Sequence, residues 1–157
     1  MKEYDIKIKN GCDIRFFGTD NNTIVIPADV KMDTDRDQVD IDIKADTKVE
    51  IGIPEKAEHI ELGIEDANLK IENISWERIE IDAEGQINIE MSNVDGSIDV
   101  NMAGGFAELI VPDDYSFVTR CEGRNNTIEC DIPVDPSSAN VIELNGKNTT
   151  LVIRHKD

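Results

Sequence analysis

The chain has 157 residues, enough for one domain with its own core, and a formal charge of −18 from 34 acidic against 16 basic residues. That charge argues against nucleic acid or an anionic membrane as a partner held by general electrostatics. Aromatics are only 4% of the chain while Ile and Val are abundant, which suits β-structure packed from β-branched side chains.

From the start, Met1-Lys2-Glu3-Tyr4-Asp5 has no apolar stretch after its basic residue, so no signal peptide is expected. No window approaches the roughly 18 apolar residues of a membrane span, so direct membrane insertion is not expected either. A complete sequence of this kind implies a cytoplasmic protein. An excised domain would leave the cell envelope or the extracellular space open.

Apolar residues then alternate with polar ones in short runs, the period of a strand with one dry face. Ile6/Ile8 and Ile14/Phe16 come first, followed by Ile24/Ile26 and Val30/Met32. Ile41-Asp42-Ile43, Ile60-Glu61-Leu62, Ile79-Glu80-Ile81 and Ile98-Asp99-Val100 then recur at one constant interval, and Phe117 opens the next unit on the same beat. Each is followed by a second run, such as Val49/Ile51/Ile53 or Ile87/Ile89/Met91. The last unit, Ile142/Leu144 with Leu151/Ile153, arrives late, and the extra residues fall in the loop-like stretch 133–140.

A fixed interval with like residues at like places is the mark of stacked repeat units. The expected fold is all-β: a single-domain β-solenoid over residues 1–157, with about eight coils of two short strands each. Eight coils at a rise of about 4.8 Å would make a rod roughly 40 Å long. The alternative is an antiparallel β-sandwich, which has no reason to keep a constant interval.

Asp95-Gly96-Ser97-Ile98-Asp99-Val100 and Glu84-Gly85-Gln86-Ile87-Asn88-Ile89, with Lys9-Asn10-Gly11-Cys12-Asp13-Ile14 more loosely, follow a Gly-x-Ile-x-Val form. In this the chain resembles the bacterial "putative adhesin" repeat family (domain of unknown function 4097 and its relatives). The resemblance covers most of the chain. It implies a β-solenoid with an adhesin-like role, and it brings no catalytic residues.

Stacked in register, Asp42, Glu61, Glu80 and Asp99 would form an outward acidic ladder of four carboxylates, with Val118 and then Glu143 at the next equivalent positions. At about 5 Å in water each neighbouring pair repels by roughly 0.8 kcal/mol, which a solvated face tolerates without any ligand. A second row is expected along Glu50, Glu72, Glu90, Glu108 and Glu129. Asp33, Asp35 and Asp37, with Asp40 close by, form the densest acidic cluster and the candidate metal site, with Ca²⁺ as its ion. An EF-hand is excluded, because Gln38 stands where Gly is needed and Lys44 where a bidentate Glu is needed. Cys12, Cys121 and Cys130 read as free thiols, a Cys121–Cys130 disulfide being the alternative.

Neither His59 nor His155 has the partners for nucleophilic catalysis or transition-metal binding, and no catalytic residues or cofactor are expected. The expected function is a non-catalytic interaction, scaffold or adhesin-like module. Its partner would be another protein or its own copies, met through the ends of the stack. One alternative is a calcium-dependent adhesion module. The other is a carbohydrate-active enzyme, with Trp76, Tyr4 or Tyr115 as sugar platform.

Overall fold

Alternating apolar and polar residues are realised as strands from end to end of the computed structural model, which describes residues 2–9, 13–28, 30–44, 48–93 and 95–156. Among these residues there are fifteen strands and no helix. The chain passes back and forth between two sheets. β1 (Glu3–Lys9) lies in the first sheet and β2 (Asp13–Thr19) in the second; β3 (Lys31–Asp35) and β4 (Gln38–Lys44) return to the first, and β5 (Lys48–Pro54) to the second. Strict alternation follows. β6 (Lys56–Glu65) is followed by β7 (Asn68–Glu72), β8 (Ser75–Glu84) by β9 (Gln86–Met91), and β10 (Ser97–Ala103) by β11 (Phe106–Val111). Last come β12 (Val118–Cys121) with β13 (Thr127–Cys130) and β14 (Val141–Lys147) with β15 (Thr150–His155).

Every strand pair is parallel except β3–β4, so the first sheet is mixed and the second wholly parallel. Like residues meet across the strands. Ile41, Ile6, Leu62, Ile81, Val100 and Leu144 stand side by side in the first sheet, all buried. Ile51, Phe16, Ile71 and Met91 do the same in the second. The inward residues of both sheets form one apolar cluster. Truncating one of them, Ile81→Ala for example, leaves a cavity and costs about 2–5 kcal/mol.

Corners between the sheets recur on the same beat. Asp66, Gly85, Gly104 and Gly123, evenly spaced along the chain, hold positive φ of 43°, 81°, 82° and 80°. This left-handed residue turns the chain out of a first-sheet strand and into its second-sheet partner. At Asp66 the side chain adds a brace: Oδ1 accepts a hydrogen bond from the Gln86 N–H at 2.9 Å. A Cβ on Gly85 would collide with that oxygen, so glycine is required there twice over.

The strands do not stack in chain order. The first sheet runs β12-β14-β10-β8-β6-β1-β4-β3 and the second β13-β15-β11-β9-β7-β2-β5. The unit β1/β2 therefore sits between β4/β5 and β6/β7, and β14/β15 sits between β10/β11 and β12/β13. The long segment between β13 and β14 lets the chain double back. At the other end the register slips: Ile41 aligns with Leu62 through Ile6, not with Ile60.

Two further expectations are corrected. Ile24 and Ile26 form no strand pair and are only half-buried; Val25 makes a single antiparallel bridge to Gly52. Met32 lies in β3, an antiparallel strand of the first sheet whose five residues are all exposed. The reason is local. The turn at Arg36 (φ 54°) folds β3 straight back onto β4, so residues 31–44 make a hairpin rather than a two-strand unit.

Candidate functional site: an acidic row on the first sheet

Register decides which outward side chains meet. Asp33 lies opposite Asp40, Asp40 opposite Asp5, and Asp5 opposite Glu61. Glu61 lies opposite Glu80, Glu80 opposite Asp99, and Asp99 opposite Glu143. Seven carboxylates thus follow one another across seven strands of one face, and Arg120, opposite Glu143, ends the row. Neighbours are about 4.8 Å apart by strand spacing.

Of the sequence-based ladder, Glu61, Glu80 and Asp99 stand together as expected. Asp42 does not join them. The two-residue slip places it opposite Lys7, in the adjacent row that continues through Gly63 to Asp82. Of the candidate calcium ligands, Asp33 and Asp40 belong to the acidic row, Asp35 lies opposite Gln38, and Asp37 sits in the hairpin turn. Asp5 went unrecognised, although Tyr4-Asp5-Ile6 has the same apolar-acid-apolar form as Ile60-Glu61-Leu62.

The row is tightest at its centre. Glu61, Glu80 and Asp82 bring one carboxylate oxygen each within 4.8 Å of one another, and all three are half-buried. Burial pushes the Glu61 carboxyl above its ordinary range, helped by the Asp5 charge, a hydrogen bond with Asp82 and the charges of Asp82 and Glu80. Asp99 is pushed up by burial and then by Glu143 and Glu80, which outweigh the Arg78 guanidinium at 3.4 Å. Its side chain is 14% exposed, and Oδ1 has no hydrogen-bond partner among the described residues. The centre of the row therefore gathers mutually repelling, half-buried carboxylates.

The second sheet's outer face differs. Glu50 and Glu90 share a row, but Arg15 and Lys70 stand between them. Glu72 falls in another row opposite Phe17, and Glu108 and Glu129 both face Val152, so the expected second acidic row does not form. Arg15 bonds Glu72 at 3.2 Å and Glu50 at 3.5 Å, Arg154 meets Glu108 at 3.0 Å, and Lys156 meets Glu90 at 2.7 Å. Asn88 donates to Asn68 and Asn68 to Asp13, an amide ladder beside a shallow concavity of about 400 Å³.

Trp76 is 7% exposed, and its Nε1 donates to the Ser97 carbonyl at 2.9 Å. Tyr4 and Tyr115 are buried as well, so none of the three offers a sugar-stacking surface. Cys121 and Cys130 are free thiols, and Cys12 lies outside the described residues. His155 Nδ1 lies 3.6 Å from Asp113. His59 Nε2 is buried with no partner among the described residues.

No family model and no curated protein matches the chain. Two solved structures are similar to it. One is a "putative cell adhesion protein" from Clostridium sporogenes, 12% identical, with a TM-score of 0.65 over 99% of this chain and 93% of that one. The other is a "putative adhesin" from Bacteroides fragilis, 8% identical, with a TM-score of 0.38 over the same shares. The first likeness is one of fold. No helix among the described residues is long and apolar enough to cross a membrane.

Proposed function

We propose that this chain is a non-catalytic, adhesion-like interaction module, built as a β-solenoid whose first-sheet face receives a positively charged protein partner. The parallel pairing of like residues in both sheets supports the solenoid reading, and the fold shared with a protein named for cell adhesion supports the role. An adhesion role would set the module at the cell envelope. The observation that carries the reading is the seven-carboxylate row, with two members, Glu61 and Asp99, held above their ordinary pKa by burial and by neighbouring carboxylates. Lysine or arginine side chains laid along it would relieve that repulsion and gain charge-assisted hydrogen bonds.

The test uses an octalysine peptide, with calorimetry at low and at moderate salt. Binding should weaken steeply with salt and fall at least tenfold in an E61Q/E80Q/D99N variant. Equal binding by wild type and variant would refute the site. A second reading, calcium capture, rests on the approach of Glu61, Glu80 and Asp82. The set Asp33, Asp35, Asp37 and Asp40 is the alternative calcium site. No heat and no shift in melting at millimolar Ca²⁺ would end both versions.

A further inference from the structure

The two ends of the stack are finished differently. At one end β3 lies antiparallel on β4, fully exposed, with Lys31, Asp33 and Asp35 along it, a charged strand of the kind that discourages further pairing. At the other end β12 and β13 are the outermost strands, each paired on one side only. The Val118 N–H bonds the Asn140 carbonyl and the Glu122 N–H bonds the Leu144 carbonyl, both at 2.9 Å. By strand alternation the N–H and C=O of Thr119 and Cys121 point away from the sheet. In β13 the Thr127 N–H bonds Thr149 at 2.9 Å, which turns the Ile128 and Cys130 backbone groups outward in the same way.

The core also stops short here. Cys121 aligns with buried Leu144, Ile128 with Leu151 and Cys130 with Ile153, so all three occupy core positions of a last layer. Yet Cys121 is exposed, and Ile128, Cys130 and Ile132 are only partly buried. Charge is mixed here: the acidic row ends in Arg120, 3.4 Å from Glu143, and Arg124 follows, beside the acidic Glu122, Glu129 and Asp131. In a molecule of charge −18 this end is one where a second copy can meet alternating rather than uniformly like charges.

We propose that this end docks a second copy of the chain, with β12 pairing antiparallel to its counterpart about a two-fold axis at Cys121. Charge selects that register. Centred on Cys121, the pairing sets Arg120 against Glu122 of the other copy, twice; centred on Arg120, it would oppose two guanidinium groups. For both sheets to pair, the same axis passes Ile128 in the second sheet and sets Thr127 against Glu129, where a shift by one residue would oppose two Glu129 carboxylates. Cys121 and Ile128 both have outward backbone groups, so each central pair exchanges two hydrogen bonds. Both sheets then run on across the junction, and Ile128, Cys130 and Ile132 gain cover. The contact is small, so a weak and reversible dimer is expected. It is independent of the acidic-face reading, because it uses an end of the stack rather than a face.

Sedimentation velocity between about 10 and 500 µM, a span suited to a weak interface, should show a monomer–dimer equilibrium for the wild type. Glu122→Arg should weaken it at least tenfold, and the swap R120E/E122R should restore it. A chain keeping only Cys121 (C12S/C130S) should cross-link to a covalent dimer under mild diamide oxidation. The central pair's Cα separation of about 5.5 Å lies within disulfide range. A chain keeping only Cys130 should cross-link far less. Melting temperatures of all variants check that the fold survives. A wild type monomeric throughout the range, or a dimer indifferent to Glu122→Arg, would overturn the proposal, whatever the octalysine result.

Discussion

On the first sheet Glu61 meets Asp5 and Glu80 across its two neighbouring strands; on the second, Glu90 meets Lys70 across one strand and Lys156 at 2.7 Å. Burial acts against charge in both places, yet the outcomes are opposite. Glu61 is pushed above its ordinary pKa by burial and by acidic neighbours. Glu90 is held below it by the hydrogen bond from Lys156 and the charges of Lys156, Lys70 and Arg154, which outweigh burial. The same strand chemistry thus neutralises the second face and leaves the Asp5–Glu61–Glu80 stretch of the first self-repelling. A face that carries repulsion it could have paired away is the better candidate for contact with something else.

The strongest way to break this contrast is to make the second face resemble the first. Reversing Arg15 and Lys70 to Glu would remove their ion pairs and leave an unbroken acidic row from Glu50 to Glu90. At roughly 0.8 kcal/mol per like-charged neighbour, plus up to about 1 kcal/mol per exposed pair lost, R15E/K70E should cost about 3 kcal/mol. A urea titration would show it as a lowered midpoint. The opposite change on the first face, E61Q/E80Q, should raise the unfolding free energy by about 1–2 kcal/mol, seen as a higher midpoint, since it deletes repulsion and leaves the core untouched.

Acidity sharpens the contrast next. Glu61 and Asp99 have folded pKa values raised above 4.5 and 3.8, so in the window above those values the folded state binds more protons than the unfolded one. Stability therefore rises as pH falls from 7 into that window. Glu90 acts in the other sense, and its contribution is lost only as pH falls below 4.5. Melting followed from pH 7 to 4 should show a rise and then a fall, and E61Q/D99N should flatten the rise. The smallest effect is expected for Lys156→Ala, which removes one largely exposed pair and should cost about 0.5 kcal/mol in the same titration.

Much of this was legible in the sequence, and one kind of feature was not. Glu61, Glu80 and Asp99 could be aligned because three successive two-strand units share one fixed interval with nothing inserted. Asp42 was misplaced because side chains in a strand repeat every two residues. A slip of two keeps every apolar residue inward, so Ile41 fits beside Leu62 as well as beside Ile60, and only the folded register tells them apart. The same degeneracy hid Asp5 and Asp40. Residues 24–32 misled for a different reason. Met32 belongs to an exposed antiparallel hairpin, and strand direction leaves no trace in a period-two pattern, while Ile24 and Ile26 lie half-buried without a strand pair. The order of units was also beyond reach, because each presents nearly the same dry face to its neighbours.

The displaced order of the units has a consequence for how the chain reaches its fold. During synthesis β12 and β13 emerge before the strands that will separate them from β10 and β11. Until β14 and β15 follow, the free edges of β10 and β11 offer a ready template of the same spacing and the same apolar faces. Docking there would be a plausible-looking mistake that must be undone before the last pair can slide in. The long stretch 131–140 gives the chain room to wait. A late, slow step in refolding, abolished when residues 141–157 are removed, would be the kinetic signature of that rearrangement.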